Sequence, residues 1–295
     1  MDRLRFVWLE ITGKCQLECA HCYADSGPFG TSGVMTDDDW ARVIDQAAEL
    51  GTRVVQFIGG EPTLHRGLPL FIGRALDRGL EVEVFSNLVH VPDRLWDVFA
   101  RPGVRLATSY YSDSAAEHQT ITGRQNSYRR TKANIIEALR RSVPLRVGLI
   151  DVRDSQRVQE AEAELRRLGV KEIGVDHLRQ VGRGVRDQQP DLTQLCGHCG
   201  DRQVAVAPDG SVWPCVFSRW LPVGNVRQDA LAEVLAGPAM TGTAATLAKH
   251  FAGRAAKGPC DPKCGPNCSP ACRPQCWPTG SGPCGPKGGC QPNYD

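Results

Sequence analysis

No apolar run in the sequence approaches the 18 or more residues of a membrane span, and the first short one, Phe6 to Leu9, stops at Glu10. That excludes a transmembrane helix and argues against a signal peptide. An excess of one charge is also missing. The 35 Lys and Arg nearly balance the 33 Asp and Glu, for a net charge of +2, so composition calls for neither nucleic acid nor an anionic membrane as a partner. Cysteine is absent from residues 23–195, although the chain has 13. An odd number gathered at the two ends is unlike the disulfide framework of a short secreted chain. The reading is cytoplasmic, where thiols stay reduced and clustered cysteines more often hold metal. With 295 residues, 41% of them hydrophobic, the chain is long and apolar enough for one large domain or two.

The first 176 residues alternate β-rich runs with helical patterns. Strands are predicted at Phe6 to Thr12, Val54 to Ile58, Glu81 to Ser86, Val104 to Ser109, Leu145 to Ile150 and Lys171 to Asp176. The first helix has Thr36 or Asp37 as its cap, with Trp40, Val43, Ile44 and Ala47 as its apolar stripe and Gly51 just past its end. A later one has Ser155 as cap and Val158, Ala161, Leu165 and Leu168 as stripe, with Gly169 as stop. Helices near 68–78, 92–99 and 127–141 fill the remaining slots. Strict alternation implies parallel strands with right-handed crossovers, in an open doubly wound sheet or a partial barrel. After residue 180 the pattern changes to a linker at Gly182, Arg183 and Gly184, a hairpin of Gln203 to Ala207 and Ser211 to Pro214, and a helix around 229–236. From Cys260 to Thr279 the tetrapeptide Cys-x-Pro-x repeats five times. Proline at every fourth position forbids a helix or a central strand, and the near lack of aliphatic residues forbids a core, so metal binding is what could order this tail.

Cys15, Cys19 and Cys22 form Cys-x3-Cys-x2-Cys directly after the first strand. Three thiolates suit three irons of a 4Fe-4S cubane and leave the fourth iron open, whereas zinc is the plain alternative. Here the sequence resembles the radical S-adenosylmethionine superfamily. The loop Cys15 to Cys22 looks like its signature, with His21 where an aromatic residue often stands and Gln16 where many members have Asn. Gly59, Gly60, Glu61 and Pro62 stand where the family's Gly-Gly-Glu-Pro segment binds the amino group of S-adenosylmethionine, the glycines letting backbone approach a ligand. Ser86 and Asn87 occupy the place of a Thr-Asn-Gly, with Leu88 instead of the glycine. Ser109 matches a ribose- or carboxylate-contacting serine, and Tyr111 stands where an Asp is often found. Arg124 and Arg130 are both candidates for the arginine that pairs with the cofactor carboxylate. Tyr110, Tyr111, Asp151, Asp176 and His177, at strand ends, are the candidates to shape the pocket. The resemblance implies an α/β fold, a partial (β/α)6 TIM-like barrel over residues 1–180, followed at 181–295 by an irregular cysteine-rich domain.

That second part resembles the SPASM extension of peptide-modifying members. Cys196, Cys199 and Cys215 match its opening, with the hairpin expected to fold over one auxiliary cluster. Cys260, Cys264, Cys268, Cys272, Cys276, Cys284 and Cys290 depart from its usual spacing, and the ten cysteines beyond the first loop suffice for two auxiliary 4Fe-4S clusters with two thiols spare. The resemblance implies a maturase that reductively cleaves S-adenosylmethionine and takes a hydrogen atom from a ribosomally made peptide, giving a cross-link, thioether or epimer. Its partners would be the precursor peptide and a one-electron reductant of flavodoxin or ferredoxin type. Only 14 residues precede Cys15, so a separate leader-recognition protein, or recognition through the C-terminal half, is expected. The competing readings are a small-molecule enzyme of the same superfamily, such as a sugar dehydrogenase or epimerase, and an iron-sulfur electron carrier.

Overall fold

The fold is given by a computed structural model, which describes residues 4–186 and 189–255. Six parallel strands run in sequence order: β1 (Phe6–Glu10), β2 (Val54–Ile58), β3 (Glu81–Phe85), β4 (Val104–Tyr110), β5 (Leu145–Asp151) and β6 (Glu172–His177). The helices between them are α1 (Asp37–Glu49), α2 (Leu68–Asp77), α3 (Asp93–Phe99), α4 (Ala115–Thr122), α5 (Ser127–Arg140) and α6 (Val158–Leu168). The expected partial barrel is therefore present. Thr36 caps α1 as expected, in a reciprocal box in which its hydroxyl accepts the Asp39 N–H while the Asp39 carboxylate accepts the Thr36 N–H.

Three local differences have physical reasons. β1 ends at Glu10, two residues early, because the Thr12 hydroxyl accepts the Lys14 N–H at 3.1 Å and turns the chain into the cysteine loop. Ser155 does not cap α6; it has a φ of +60°, and Arg157 precedes the first helical residue. The helix α4 was not expected, since its apolar residues follow no clear stripe. Beyond the linker come β7 (Gln203–Val206), β8 (Ser211–Trp213), β9 (Gly224–Asn225), α7 (Leu231–Ala236) and α8 (Pro238–Ala255), the last also unexpected. The predicted hairpin is β7–β8, and β7 pairs in parallel with β1, so one nine-stranded sheet runs β6-β5-β4-β3-β2-β1-β7-β8-β9.

Both faces of β1 are covered, which explains its unbroken apolar run. Val7 and Leu9 join the core under the helices, whereas Phe6 and Trp8 face a second cluster with Cys199, Trp213, Cys215, Phe217 and Phe251. Lower on the inner face lies a buried charge network. Arg146 grips Glu83 with Nε 2.7 Å from Oε2 and Nη2 2.6 Å from Oε1, Arg105 reaches the same carboxylate, and the Gln56 amide donates to it. Burial works against the Glu83 charge, but Arg146 and then Arg105 outweigh it, so its carboxyl is held below the usual range. No helix among the described residues is long and apolar enough to cross a membrane.

Glu83→Gln removes the buried carboxylate that Arg146 grips with two hydrogen bonds, and a loss of about 3–5 kcal/mol is expected in denaturant unfolding. Because the folded-state pKa of Glu83 is lowered, its stabilisation is present above the unfolded value of about 4.3 and disappears as pH falls through the folded one. The variant's stability should accordingly vary less with pH below about 4.3 than that of the parent.

Candidate active site

The cysteine loop, residues 15–22, leaves the C-terminal end of β1 and is held almost wholly by neighbouring backbone. Gly60 and Glu61 donate their N–H groups to the carbonyls of Thr12 and Lys14, both at 2.7 Å, so the glycine turn after β2 is sewn to the start of the loop. A Cβ on Gly59 would stand 2.3 Å from the Thr12 oxygen, and one on Gly60 the same distance from the Lys14 oxygen. The room these glycines leave is filled by the loop's own backbone. On the other side, Glu18 and Ala20 donate to the carbonyls of Thr122 and Ile121 at the end of α4, at 3.0 and 3.2 Å.

All three thiols line one cleft at the C-terminal strand ends, together with Gly59, Gly60, Asn87, Ser109, Tyr111, Asp176 and His177. The cleft has a cavity volume of about 130 Å³ and opens to solvent. Donors approach the sulfurs: Leu17 N–H lies 3.4 Å from Cys15 Sγ, Ser26 N–H lies 3.3 Å from Cys22 Sγ, and Asn87 Nδ2 lies 3.6 Å from Cys15 Sγ. Gln16 and Asn87 exchange amide hydrogen bonds at 3.0 and 3.3 Å. Burial pushes the Cys15 thiol up to about 12 and the Cys19 thiol higher still. His21 donates to or accepts from the Tyr111 hydroxyl at 3.2 Å, and burial, reinforced by Arg183 and Arg186, lowers its pKa to about 4.

Other expected site residues lie elsewhere. Tyr110 does not face the cleft; alternation along β4 sends Ser109 inward and Tyr110 to the helix side, where its hydroxyl donates to Glu164 at 2.6 Å. Glu61 is fully buried beneath the cleft, its carboxylate accepting from Thr63 N–H and hydroxyl, Ser86 hydroxyl and Asn87 N–H. Burial raises its pKa against those four donors. Pro62 opens the short 3-10 turn that Glu61 caps, and Ser86 also accepts the Leu88 N–H. Leu88 takes a left-handed φ of +54°, a region that favours glycine, at a cost of about 1–2 kcal/mol, offset by its complete burial. Asp151 does not line the cleft itself and instead faces His177, its Oδ2 lying 3.3 Å from Nδ1. Arg124 and Arg130 line a separate outer pocket with Gln16, Leu64, Val89 and His90. Two arginines that sequence reasoning did not single out as site residues, Arg179 and Arg183, are on the cleft wall. Only the glycines flanking Arg183 hinted at them.

In the C-terminal segment, Cys199 Sγ lies 2.9 Å from Cys215 Sγ, and the free Cys196 side chain is hydrogen-bonded to the Cys199 thiol. The expected ligands from Cys260 to Cys290 lie outside the described residues. Among the described residues no three His, Cys, Asp or Glu side chains form a single-ion metal site. A cubane makes a different demand, one thiolate on each of three irons, and three thiols around one cleft with N–H donors at sulfur fit it.

Comparison with known proteins agrees. The profile of the radical SAM superfamily matches residues 9–168. The chain belongs to the radical SAM superfamily. A second profile, an iron-sulfur cluster-binding domain of the SPASM type, matches residues 196–273. This radical SAM chain thus carries the superfamily's 4Fe-4S and S-adenosylmethionine site, and an auxiliary iron-sulfur region after it. It is 29% identical over 199 residues to a PqqA peptide cyclase of Xanthomonas campestris pv. campestris, covering 64% of this chain and 52% of that protein. With a PqqA peptide cyclase of Xanthomonas oryzae pv. oryzae it is 25% identical over 276 residues, covering 77% and 73%. The chain therefore spans about half the length of the first of these relatives. Its fold is similar to Streptococcus suis SuiB bound to the precursor peptide SuiA, with a TM-score of 0.70 at 13% identity over 83% of this chain and 67% of that one.

Gly60→Ala should destabilise the chain by about 1–3 kcal/mol, because the added methyl meets backbone that has no way to yield. Thermal melting of the chain without cluster measures this, and an unchanged midpoint would show that the turn is not clamped to the loop.

Proposed function

We propose that the chain is a radical SAM/SPASM peptide maturase, which removes a hydrogen atom from a ribosomally synthesised precursor peptide and leaves a cross-link, thioether or epimer. The observation that carries this is the convergence of three thiols, the glycine turn and Asn87 on one cleft, whose far wall is supplied by Val216 and Phe217 of the C-terminal segment. The peptide class is supported by the names of the relatives, two peptide cyclases and a protein bound to its precursor peptide.

When bound, the cluster supplies the electron that splits S-adenosylmethionine and so provides the radical chemistry. The chain's own residues do the rest. Cys15, Cys19 and Cys22 would hold three irons, and the N–H donors of Leu17 and Asn87 would steady the Cys15 sulfur and that of Ser26 the Cys22 sulfur. Gly59, Gly60 and Glu61 place the β2 turn for the methionine end, with Glu61 acting through Ser86 and Asn87, whose positions it fixes. Ser109 at the end of β4 and Tyr111 just beyond it would face the cofactor, while Asp176 and His177 would bound the substrate side of the cleft that all four line. Trp8, Ile58, Phe85, Val216 and Phe217 exclude water. We place the barrel at residues 1–180 and the auxiliary unit at 181–295, with two auxiliary 4Fe-4S clusters drawing on Cys196, Cys199, Cys215 and the tail cysteines. Arg124 or Arg130 would have to move inward to reach a cofactor carboxylate. A separate leader-recognition protein, or recognition through the C-terminal half, and a flavodoxin- or ferredoxin-type reductant complete a cytoplasmic system.

The test is anaerobic turnover of the reconstituted chain with a reductant, S-adenosylmethionine and a co-produced precursor peptide. Formation of 5'-deoxyadenosine is expected, with the peptide losing two hydrogens for a cross-link or thioether, or gaining one deuterium in heavy water at otherwise unchanged mass for an epimer. No 5'-deoxyadenosine would contradict the enzyme reading. An unaltered peptide beside turnover of a sugar would replace the peptide by a small molecule.

A further inference from the structure

The two arginines on the cleft wall are differently employed. Arg179 is paired with Asp176, Nη2 lying 3.1 Å from Oδ1, and both side chains are nearly buried, at 11% and 6% exposed. That pair brings the cleft little net charge. Arg183 belongs to the tight turn Gly182–Gly184, which follows β6 and leads toward Cys196. Its Nε donates to the Cys19 carbonyl at 3.0 Å and its Nη2 to the Ser26 carbonyl at 2.6 Å, while its backbone N–H reaches the Cys22 carbonyl at 2.9 Å. Among the described residues its ion-pair partner is Asp25 at 2.9 Å, which is 73% exposed, so water screens much of that counter-charge.

The turn is fitted to the loop as closely as the side chain is. Gly182 has a φ of +59°, and a Cβ there would stand 2.4 Å from the Tyr23 oxygen and 2.5 Å from the Cys22 oxygen. A planar fork bonded to several acceptors fixes both the loop and its own orientation. It also leaves a permanent cation on the wall of the cleft that the three thiols line.

We propose that Arg183 is a positioning residue that holds the cysteine loop and, through its charge, raises the reduction potential of the cluster on Cys15, Cys19 and Cys22. The inference rests on the radical SAM reading above. Reduction takes one electron from a one-electron donor and breaks no bond, so the reduced cluster carries one more negative charge than the oxidised one. A fixed cation beside it favours the reduced state. The charge comes from the segment leading to the auxiliary cysteines, so docking of that segment and readiness of the first cluster are linked.

The experiment is a redox titration with dithionite, followed by electron paramagnetic resonance, on the reconstituted full chain and its Arg183→Gln and Arg183→Lys variants, with iron measured in each. The relevant signal is the one absent from a Cys15→Ala/Cys19→Ala/Cys22→Ala variant. Arg183→Gln should keep its iron and show a more negative midpoint, while Arg183→Lys, which keeps the charge but not the fork, should stay nearer the parent. An unchanged midpoint in Arg183→Gln, or equal shifts in both variants, would overturn the electrostatic role. Loss of iron in both would reduce Arg183 to a scaffold and overturn it equally. A parent chain that assembles no such cluster would instead contradict the radical SAM reading and take this inference with it.

Discussion

Three thiols on a loop of eight residues have to face one buried cleft, and a segment that short has no core with which to hold itself in place. Its fixity is borrowed. The β2 turn grips residues 12 and 14, the end of α4 grips residues 18 and 20, and the turn after β6 grips residues 19, 22 and 26. These contacts are mostly backbone to backbone, which is why glycine stands where the chains approach most closely, at Gly59, Gly60 and Gly182. Buried thiols resist losing their protons, so the same loop needs N–H donors at sulfur and a nearby cation to make iron binding favourable.

The position of β1 links the two cysteine regions. It is an interior strand, with β2 on one side and β7 on the other. Its inward residues Phe6 and Trp8 share an apolar cluster with Cys199 and Cys215, and Trp8 also lines the cleft of the first three thiols. Trp8 is therefore shared between the packing around Cys199 and Cys215 and the wall of the cleft that Cys15, Cys19 and Cys22 line. Glu10, at the end of β1, adds an ion pair to Arg219, whose guanidinium lies 4.4 Å from the Trp213 ring centre. Loss of packing in the C-terminal segment would thus be felt at the strand that carries the cysteine loop.

Much of this was legible in the sequence because it rests on period and spacing. The six strands are short apolar runs, Thr36 and Gly51 bracket α1, and the cysteine and glycine motifs each follow a strand. What escaped rests on tertiary packing. α4 carries His118, Ile121 and Thr122 inward without a repeating stripe, yet its last carbonyls hold the loop. Pairing of β7 with β1 is a long-range choice that local alternation does not encode. Tyr110 and Tyr111 are indistinguishable by composition, and only the facing of β4 puts the second in the cleft and the first against Glu164. Arg183 belongs to no motif, since its role follows from where the linker returns over the loop.

The central claim is that the first three cysteines hold a 4Fe-4S cluster with one iron open to S-adenosylmethionine. The most direct measurement is the electron paramagnetic resonance spectrum of the reduced chain before and after S-adenosylmethionine is added. The account predicts that the signal depending on Cys15, Cys19 and Cys22 changes its g-values on addition, because the cofactor ligates the open iron. A spectrum unchanged at saturating S-adenosylmethionine would contradict it.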